Sequence, residues 1–233
     1  MIILRKAAER FHTRIDWLDS WHTFSFGPHY DPRYMGFGPL RVINDDRVMG
    51  GGGFPTHGHR DMEIITVVLS GALEHKDSLG TGSVIRPGDV QKMSAGKGIE
   101  HSEFNASAHE PVHLLQIWIM PEVHGVKPGY QQIHFTPQQW QNQFCLVASP
   151  DGKDGSISLY QDAHMYVATL GNGASLDYAI TKGRNIWVHV ATGKAHVAGH
   201  LVSEGDGLSA TGEKALAFKA QTESTLLLFD LGD

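Results

Sequence analysis

Two pairs of side chains that can bind metals, His57 with His59 and His101 with Glu103, constrain this sequence more than any other feature. Within each pair, one residue separates the two members. Side chains of a β-strand alternate between its two faces, so residues i and i+2 point the same way. Two such strands that face each other inside a barrel would aim three imidazoles and one carboxylate at a single point. The spacing therefore predicts β-structure around a mixed nitrogen and oxygen site for a divalent first-row metal.

The bulk composition excludes several classes of protein. A chain of 233 residues with 41% apolar residues can bury a sizeable core. The net charge is −6, and no basic surface that would indicate direct binding to nucleic acid is visible. No stretch approaches the roughly 20 apolar residues that span a bilayer, and the N-terminus lacks a secretory pattern. Cys145 is the single cysteine, so an intrachain disulfide is excluded, and we expect a cytoplasmic protein.

Short strands separated by turns dominate the sequence. The β-branched run from Glu63 to Leu69 ends at a Ser-Gly turn, and a longer apolar strand is predicted from Val112 to Met120. The strongest signal for a helical turn is at Thr136-Pro137, where an N-capping residue precedes a proline. The pattern predicts an all-β fold.

A weak internal repeat predicts two similar β units. The segment WVHVATGKAHV, which begins at Trp187, resembles ITVVLSGALEH, which begins at Ile65. The repeat is far longer than the period of a solenoid. The alternative is a chance similarity between two stretches of ordinary β-rich sequence.

The second copy lacks the metal-binding side chains. At the positions that correspond to His101 and Glu103 it has Phe218 and Ala220. We therefore predict an N-terminal metal-binding domain over residues 1–135 and a C-terminal domain without metal ligands over residues 136–233. The turn residues clustered at 148–155 are interpreted as the linker or its edge.

The four candidate ligands suit a catalytic metal. Imidazole and carboxylate bind Fe(II), Mn, Co, Ni, Cu or Zn, and four protein ligands on an octahedral ion leave two open positions. Structural zinc sites, in contrast, are mostly rich in cysteine. The alternative is that these residues are polar groups hydrogen-bonded within a β core.

Several motifs, in the right order, resemble the pirin family, whose members are bicupins of the cytosol or nucleus. The similarity covers DSWHTFSFG from Asp19, PLRVINDD from Pro39, FPTHGHRDMEI from Phe54 and MSAGKGIEHSE from Met93, and it continues through VHLLQIWIMP to SPDGKDGS. The resemblance implies two cupin-type β-barrel domains, each a double-stranded β-helix or jelly-roll.

The resemblance also implies the ligand set, which is His57, His59, His101 and Glu103. We expect Fe(II) as the metal, with Zn, Mn, Co, Ni and Cu as alternatives. The order of affinities alone would favour copper or zinc, so the identity of the metal depends on cellular supply. The ordinary cupin glutamate, Glu63 here, is not a ligand in pirins. It is interpreted as a hydrogen-bond partner of a ligand imidazole.

Three positions depart from the residues that some pirins carry. Some pirins have an aromatic residue at the position of Lys92 and bulkier residues at the positions of Thr56 and Gly58. These departures are expected to affect the shape of the pocket and the choice of substrate, and not the metal.

The activity implied by the resemblance is that of a metal-dependent dioxygenase that cleaves a flavonol-type substrate such as quercetin. A metal that binds the enol oxygen lowers the pKa of that hydroxyl, and Glu103 is the candidate catalytic base. The expected partners are a flavonoid-like small molecule and dioxygen, and the protein is expected to be a monomer. One alternative is a non-catalytic, metal-binding redox sensor that acts through a protein partner. Another is that flavonol cleavage is a side activity of a promiscuous pocket.

Other residues with reactive side chains are interpreted as structural. His22, His75 and His113 are expected to be hydrogen-bonded or packed residues and not ligands. Trp118 is expected to supply packing area, and Cys145 to be a buried small hydrophobe.

Overall fold

A computed structural model describes residues 1–232 of the chain. These residues form 22 β-strands, one short α-helix and three 3-10 turns, which confirms the predicted all-β fold. The helix, α1, covers Pro137–Trp140 and begins after Thr136, where the sequence predicts a helical turn. The 3-10 turns cover Ala7–Glu9, Pro32–Tyr34 and Lys153–Gly155. In the described part of the chain, no helix is long and apolar enough to cross a membrane.

The chain divides into two compact units. The first unit consists of Phe11–Phe135 together with Leu159–Gln161. The second consists of Met1–Arg10, Thr136–Ser158 and the chain from Asp162 to the end of the described residues.

The first ten residues belong to the second unit, whereas the sequence-based division places them in an N-terminal domain of residues 1–135. The physical reason is strand pairing. Strand β1 (Ile2–Arg5) forms an antiparallel ladder with β20 (Gly207–Thr211), which satisfies the backbone groups of both strands. A pairing partner some 200 positions away leaves no local signal in the sequence.

The turn cluster at 148–155 does not link the two units. It lies inside the second unit, between strands β13 (Cys145–Ser149) and β14 (Ile157–Ser158). The hydroxyl of Ser149 donates to Asp151 and accepts from the backbone N–H of Lys153, which closes the turn on itself. The interpretation of this cluster as a linker is therefore wrong.

The first unit is built from two antiparallel sheets. The seven-stranded sheet has the order β12-β9-β6-β11-β4-β3-β2, and the four-stranded sheet has the order β5-β10-β7-β8. The strands cover β2 (Phe11–Ile15), β3 (Leu18–His22), β4 (Leu40–Val48), β5 (Gly53–His59), β6 (Glu63–Ser70), β7 (Leu73–Asp77), β8 (Gly82–Ile85), β9 (Asp89–Ser94), β10 (Ile99–Asn105), β11 (Val112–Ile119) and β12 (Gly129–His134).

The second unit repeats this arrangement. Its sheets have the orders β1-β20-β17-β22-β15-β13-β14 and β16-β21-β18-β19, antiparallel throughout except for the parallel pair β13–β14. Its remaining strands cover β15 (Ala163–Leu170), β16 (Ser175–Ala179), β17 (Asn185–Thr192), β18 (Lys194–Val197), β19 (His200–Ser203), β21 (Ala215–Ala220) and β22 (Ser224–Leu231).

Among the described residues, the positions of the second unit that are equivalent to the candidate ligands carry apolar side chains. In the second unit Phe218 lies opposite Leu176, as His101 lies opposite His57 in the first. Phe218 is buried in an apolar cluster, and Leu176 packs against the same cluster. The space that is polar in the first unit is therefore filled by hydrocarbon in the second.

Candidate metal centre

The candidate ligands lie on two adjacent strands. The register of β5 and β10 places His57 directly opposite His101. His59 follows two residues after His57, and Glu103 follows two residues after His101. The register shifts between the two ligand positions of β10, because His101 pairs with His57 and Glu103 pairs with Phe54, which leaves one extra residue on β5. Such bulges re-aim side chains next to functional sites, and this one lies on β5 directly before His57.

Gly53 allows β5 to run close to β10 beside the site. A Cβ atom at this position would lie 2.4 Å from Cδ1 of Phe104 and 2.6 Å from the backbone oxygen of Glu103. Any side chain here would push the two strands apart. The glycines that precede the first ligand pair in the sequence therefore include one that the strand packing requires.

The three histidines converge on one point. Nε2 of His57 lies 3.1 Å from Nε2 of His101. One nitrogen from each of His57, His59 and His101 lies within 4.8 Å of the others. Nδ1 of His57 lies 2.8 Å from the backbone oxygen of Pro55, so this nitrogen carries the proton and Nε2 has a free lone pair. The arrangement presents nitrogen lone pairs to a shared centre.

Glu103 belongs to a second group of potential ligands that shares His101. Ligand atoms of His75, His101 and Glu103 also lie within 4.8 Å of one another. Oε2 of Glu103 accepts a hydrogen bond of 2.6 Å from Nε2 of Gln116, while Oε1 is buried without a hydrogen-bond partner. An unpartnered buried carboxylate oxygen is costly unless a cation or donor meets it, so this atom fits a metal ligand.

The electrostatics of the site favour neutral imidazoles. Burial lowers the pKa of His59 to about 4, and nearby His57 adds to the effect. Burial and the three neighbouring histidines lower the pKa of His101 to about 2. Burial raises the pKa of Glu103 to about 7, although the hydrogen bond from Gln116 opposes the rise. Neutral imidazoles and a carboxyl group that needs a positive partner are the donor set of a divalent first-row metal.

A cavity of about 420 Å³ opens beside the histidines. One part of its wall is apolar and largely aromatic, with Leu18, Phe26, Pro28, Phe54 and Trp118. The ring of Trp118 meets those of His59 and Phe26 edge to face, with ring centres 5.0 and 5.4 Å apart. The cavity can therefore hold a flat aromatic molecule next to the candidate ligands.

A strip of polar side chains lines another part of the cavity, on the paired strands β3 and β4. The hydroxyl of Ser20 donates a short hydrogen bond to Asp46. Two residue pairs further along the ladder, and so on the same face, Nδ1 of His22 lies 2.8 Å from Oδ1 of Asn44. These side chains could hydrogen-bond hydroxyl groups of a ligand. The interpretation of His22 as a purely structural residue missed this strip, because its partners come from a strand some 20 positions away.

Glu63 faces away from the site. The register pairs Glu63 with Ser94 and Ile65 with Lys92, so Glu63 and Lys92 share one face of β6 and β9. Their charged groups are 3.5 Å apart and buried. Ile64, on the opposite face, is in a cluster against which Trp118 packs. Because its partner is Lys92, the interpretation of Glu63 as a partner of a ligand imidazole is wrong.

The positions that depart from the residues of some pirins therefore differ in their effects on the cavity. Thr56 lines it, so a bulkier side chain there would reduce its volume. Lys92 lies on the other face of its sheet, so the identity of this residue does not shape the cavity. The expectation that Lys92 affects pocket shape is wrong.

Two further histidines have carboxylate partners. Nε2 of His113 lies 2.7 Å from Oδ1 of Asp45, in agreement with its interpretation as a hydrogen-bonded residue. Nε2 of His75 lies 3.1 Å from Oδ2 of Asp77, beside the candidate ligands. The sequence signal for the pair of His75 and Asp77 is its i, i+2 spacing, which is the same as the spacing within each pair of candidate ligands.

Comparisons with known proteins agree with this fold. Residues 4–119 match the model of the Pirin family, and residues 146–231 match that of the quercetinase C-terminal cupin domain. The chain is 48% identical to a quercetin 2,3-dioxygenase of Escherichia coli (strain K12), over 99% of each chain. It is equally similar to a bacterial pirin of Escherichia coli, YhhW, solved in complex with nickel(II), with a TM-score of 0.95 and coverage of 100% and 99%. A quercetin 2,3-dioxygenase from Acinetobacter baumannii, 19% identical with a TM-score of 0.78 and coverage of 95% and 83%, shares the fold.

Proposed function

The chain belongs to the pirin family of bicupins, and we propose that it is a metal-dependent dioxygenase that cleaves flavonol-type substrates such as quercetin. The observation that carries the proposal is the convergence of His57, His59 and His101 beside an aromatic-lined cavity. The similarity to a quercetin 2,3-dioxygenase along the whole chain supports the reaction type.

The proposed ligands of the metal are His57, His59, His101 and Glu103. Their donor atoms fit a divalent ion because the lowered pKa values of His59 and His101 keep these imidazoles neutral, and Oε1 of Glu103 is buried without another partner. A bound ion would supply Lewis acidity, which lowers the pKa of a hydroxyl that binds to it. We propose Fe(II) as the native metal, while the nickel complex of a relative supports a divalent ion in general.

The protein's own side chains bind and orient the substrate. The aromatic rings of Phe26 and Trp118 offer apolar contact to a flat ring system. Ser20 and Asp46, on the polar strip, can hydrogen-bond the phenolic hydroxyls of such a molecule. Glu103 is the proposed acceptor of the substrate's hydroxyl proton, and Gln116 holds its second oxygen in place.

The test is a joint measurement of metal content and oxygen consumption. The protein is purified without a metal-affinity tag and reconstituted with Fe(II), and oxygen uptake is followed with quercetin. The wild type should bind about one metal ion per chain and consume oxygen in proportion to it. His57→Ala removes one nitrogen ligand and should lose both properties.

A matched control separates loss of a ligand from loss of a histidine. His200 is exposed and lies in the second unit, so His200→Ala should retain metal and activity. Bound metal without oxygen uptake would contradict the dioxygenase proposal and favour the non-catalytic sensor. Absence of stoichiometric metal after reconstitution would contradict the metal site itself.

A further inference from the structure

We infer that Asp77 and His75 form a positioning dyad that orients the ring of His101 toward the metal. The inference rests on the proposed metal site and adds two residues that the ligand set does not include. Neither would touch the metal; His75 would act through the free ring nitrogen of His101.

The dyad lies on the strand next to the ligand strand. In the register of β7 and β10, His75 lies opposite Glu103 and Asp77 lies opposite His101. Both pairs have i, i+2 spacing, so the four side chains share the inner face of the sheet. Two potential ligands on β10 are therefore faced by an imidazole and a carboxylate on β7.

The hydrogen bond within the dyad determines which nitrogen of His75 carries a proton. Nε2 of His75 lies 3.1 Å from Oδ2 of Asp77, and both side chains are fully buried. An ionised carboxylate only accepts, so Nε2 must be the donor. In the tautomer with its proton on Nε2, Nδ1 of His75 has a lone pair, and this atom is buried without a partner.

His101 presents the complementary group. Its Nε2 faces Nε2 of His57 at the point where the ligands converge. When Nε2 binds a metal, Nδ1 carries the proton, and this nitrogen is also buried without a partner. The ring centres of His75 and His101 are 5.3 Å apart, which allows two facing nitrogens to reach a hydrogen-bonding distance of about 3 Å. Each unpartnered atom is the group that the other needs.

The function of such a dyad follows from general metal-site chemistry. A histidine that binds a metal usually donates its other N–H to an acceptor, which fixes its tautomer and its orientation. Here the acceptor is Nδ1 of His75, and Asp77 keeps that nitrogen unprotonated. Loss of such partners typically costs roughly 10–100-fold in metal affinity.

Asp77→Asn tests the dyad with little disturbance of the backbone. Oδ1 of Asp77 accepts the backbone N–H groups of Leu79 and Thr81, and an asparagine oxygen can continue to do so. Its amide nitrogen must then face Nε2 of His75 and donate to it. His75 consequently carries its proton on Nδ1. The N–H of His101 then faces another N–H in place of an acceptor, and the hydrogen bond is lost.

The measurements are Zn²⁺ affinity by calorimetry and the tautomers of the ring nitrogens by ¹⁵N NMR of the Zn²⁺-bound protein. We expect Asp77→Asn to move the proton of His75 from Nε2 to Nδ1 and to weaken Zn²⁺ binding roughly 10–100-fold. Asp89→Asn is the matched control, because Asp89 also accepts from a backbone N–H and from a histidine, the partly exposed His134. This control should keep the affinity of the wild type.

A second variant covers the case in which Asp77→Asn does not fold. His75→Phe removes the acceptor and keeps an aromatic ring beside Tyr130. It should show the same loss of Zn²⁺ affinity. Unchanged affinity in a folded variant, or an unchanged tautomer in Asp77→Asn, would overturn the dyad and leave the metal site standing. Failure of the wild type to bind Zn²⁺ would overturn both.

Discussion

The side-chain amide of Gln116 donates a hydrogen bond of 2.6 Å to Oε2 of Glu103, across the two sheets of the first unit. The carbonyl oxygen of Gln116 in turn accepts from Nε1 of Trp118 at 3.2 Å. These two hydrogen bonds together direct the amide nitrogen of Gln116 toward the carboxylate of Glu103. Oε1 of Glu103 is buried without a hydrogen-bond partner and is the oxygen that we propose as the metal ligand.

Gln116→Met is expected to weaken metal binding roughly 10–100-fold, because the buried carboxylate of Glu103 loses the donor to its Oε2 and its fixed orientation. Methionine has a similar size, so the packing should change little. The measurement is a Zn²⁺ titration, accompanied by oxygen uptake with quercetin. Gln138→Met, on the exposed helix α1, is the control and should behave as the wild type. Equal affinity in both variants would show that Gln116 does not position Glu103.

Asp46→Asn should change how stability depends on pH. Burial raises the pKa of Asp46 to about 7; the hydrogen bond from Ser20 opposes the rise, and nearby Asp45 adds to it. The folded protein therefore holds a proton that the unfolded chain releases near pH 4, so its stability falls as pH rises toward 7. Asparagine stays neutral and lacks this loss. Asp45 and Glu103, the charged groups near Asp46, are present in both proteins.

The measurement for this variant is the free energy of unfolding of the metal-free protein in denaturant. The advantage of Asp46→Asn over the wild type should grow by on the order of 2–3 kcal/mol between about pH 5 and about pH 8. Parallel pH profiles would contradict a protonated Asp46 in the folded state.

The Lys92–Glu63 pair should matter for stability and not for the metal. Both side chains are buried, and their charged groups lie 3.5 Å apart. Lys92→Met leaves Glu63 buried without its counter-charge and should cost about 3–5 kcal/mol. The double variant Lys92→Met/Glu63→Gln should recover part of this loss. Thermal melting measures the change in stability, and a Zn²⁺ titration checks that metal binding is unchanged. A large drop in Zn²⁺ affinity for Glu63→Gln alone would contradict the assignment of Glu63 to the opposite face.

Phe218→Ala should destabilise the second unit without removing the metal. Phe218 is 2% exposed and occupies the position equivalent to that of His101. Truncation of a buried phenylalanine costs about 3–5 kcal/mol through lost contacts and the remaining cavity. Denaturant unfolding measures the loss, and metal content per folded chain should be unchanged. Leu201→Ala, at a position 44% exposed, is the control for truncation at the surface.

The sequence was informative where a local rule decides the outcome. Spacing of i, i+2 places His57 and His59 on one face of a strand wherever that strand lies, and residue chemistry restricts what they can bind. The expectation that the second unit has no metal ligands at the equivalent positions also follows from residue types, since Phe218 and Ala220 cannot bind a metal.

The same spacing was overlooked at His75 and Asp77. A histidine two residues before an aspartate has several uses, and nothing local indicates that β7 lies beside β10. The opposite error occurred at Glu63, which was expected beside a ligand imidazole but faces away from the site. It begins an apolar run with no period-two pattern, so the sequence did not indicate which of its residues face the site.

What the sequence determined by itself is therefore the strand-rich fold, the ligand types and their pairing within each strand. The tertiary structure alone decided the partners: β1 with β20, Gln116 with Glu103, Glu63 with Lys92 and the dyad with His101. The physical reason is that alternation along a strand is a property of the local backbone. Register and the choice of inward face arise from pairing between segments far apart in the chain, and a shift of one residue would reverse every side chain.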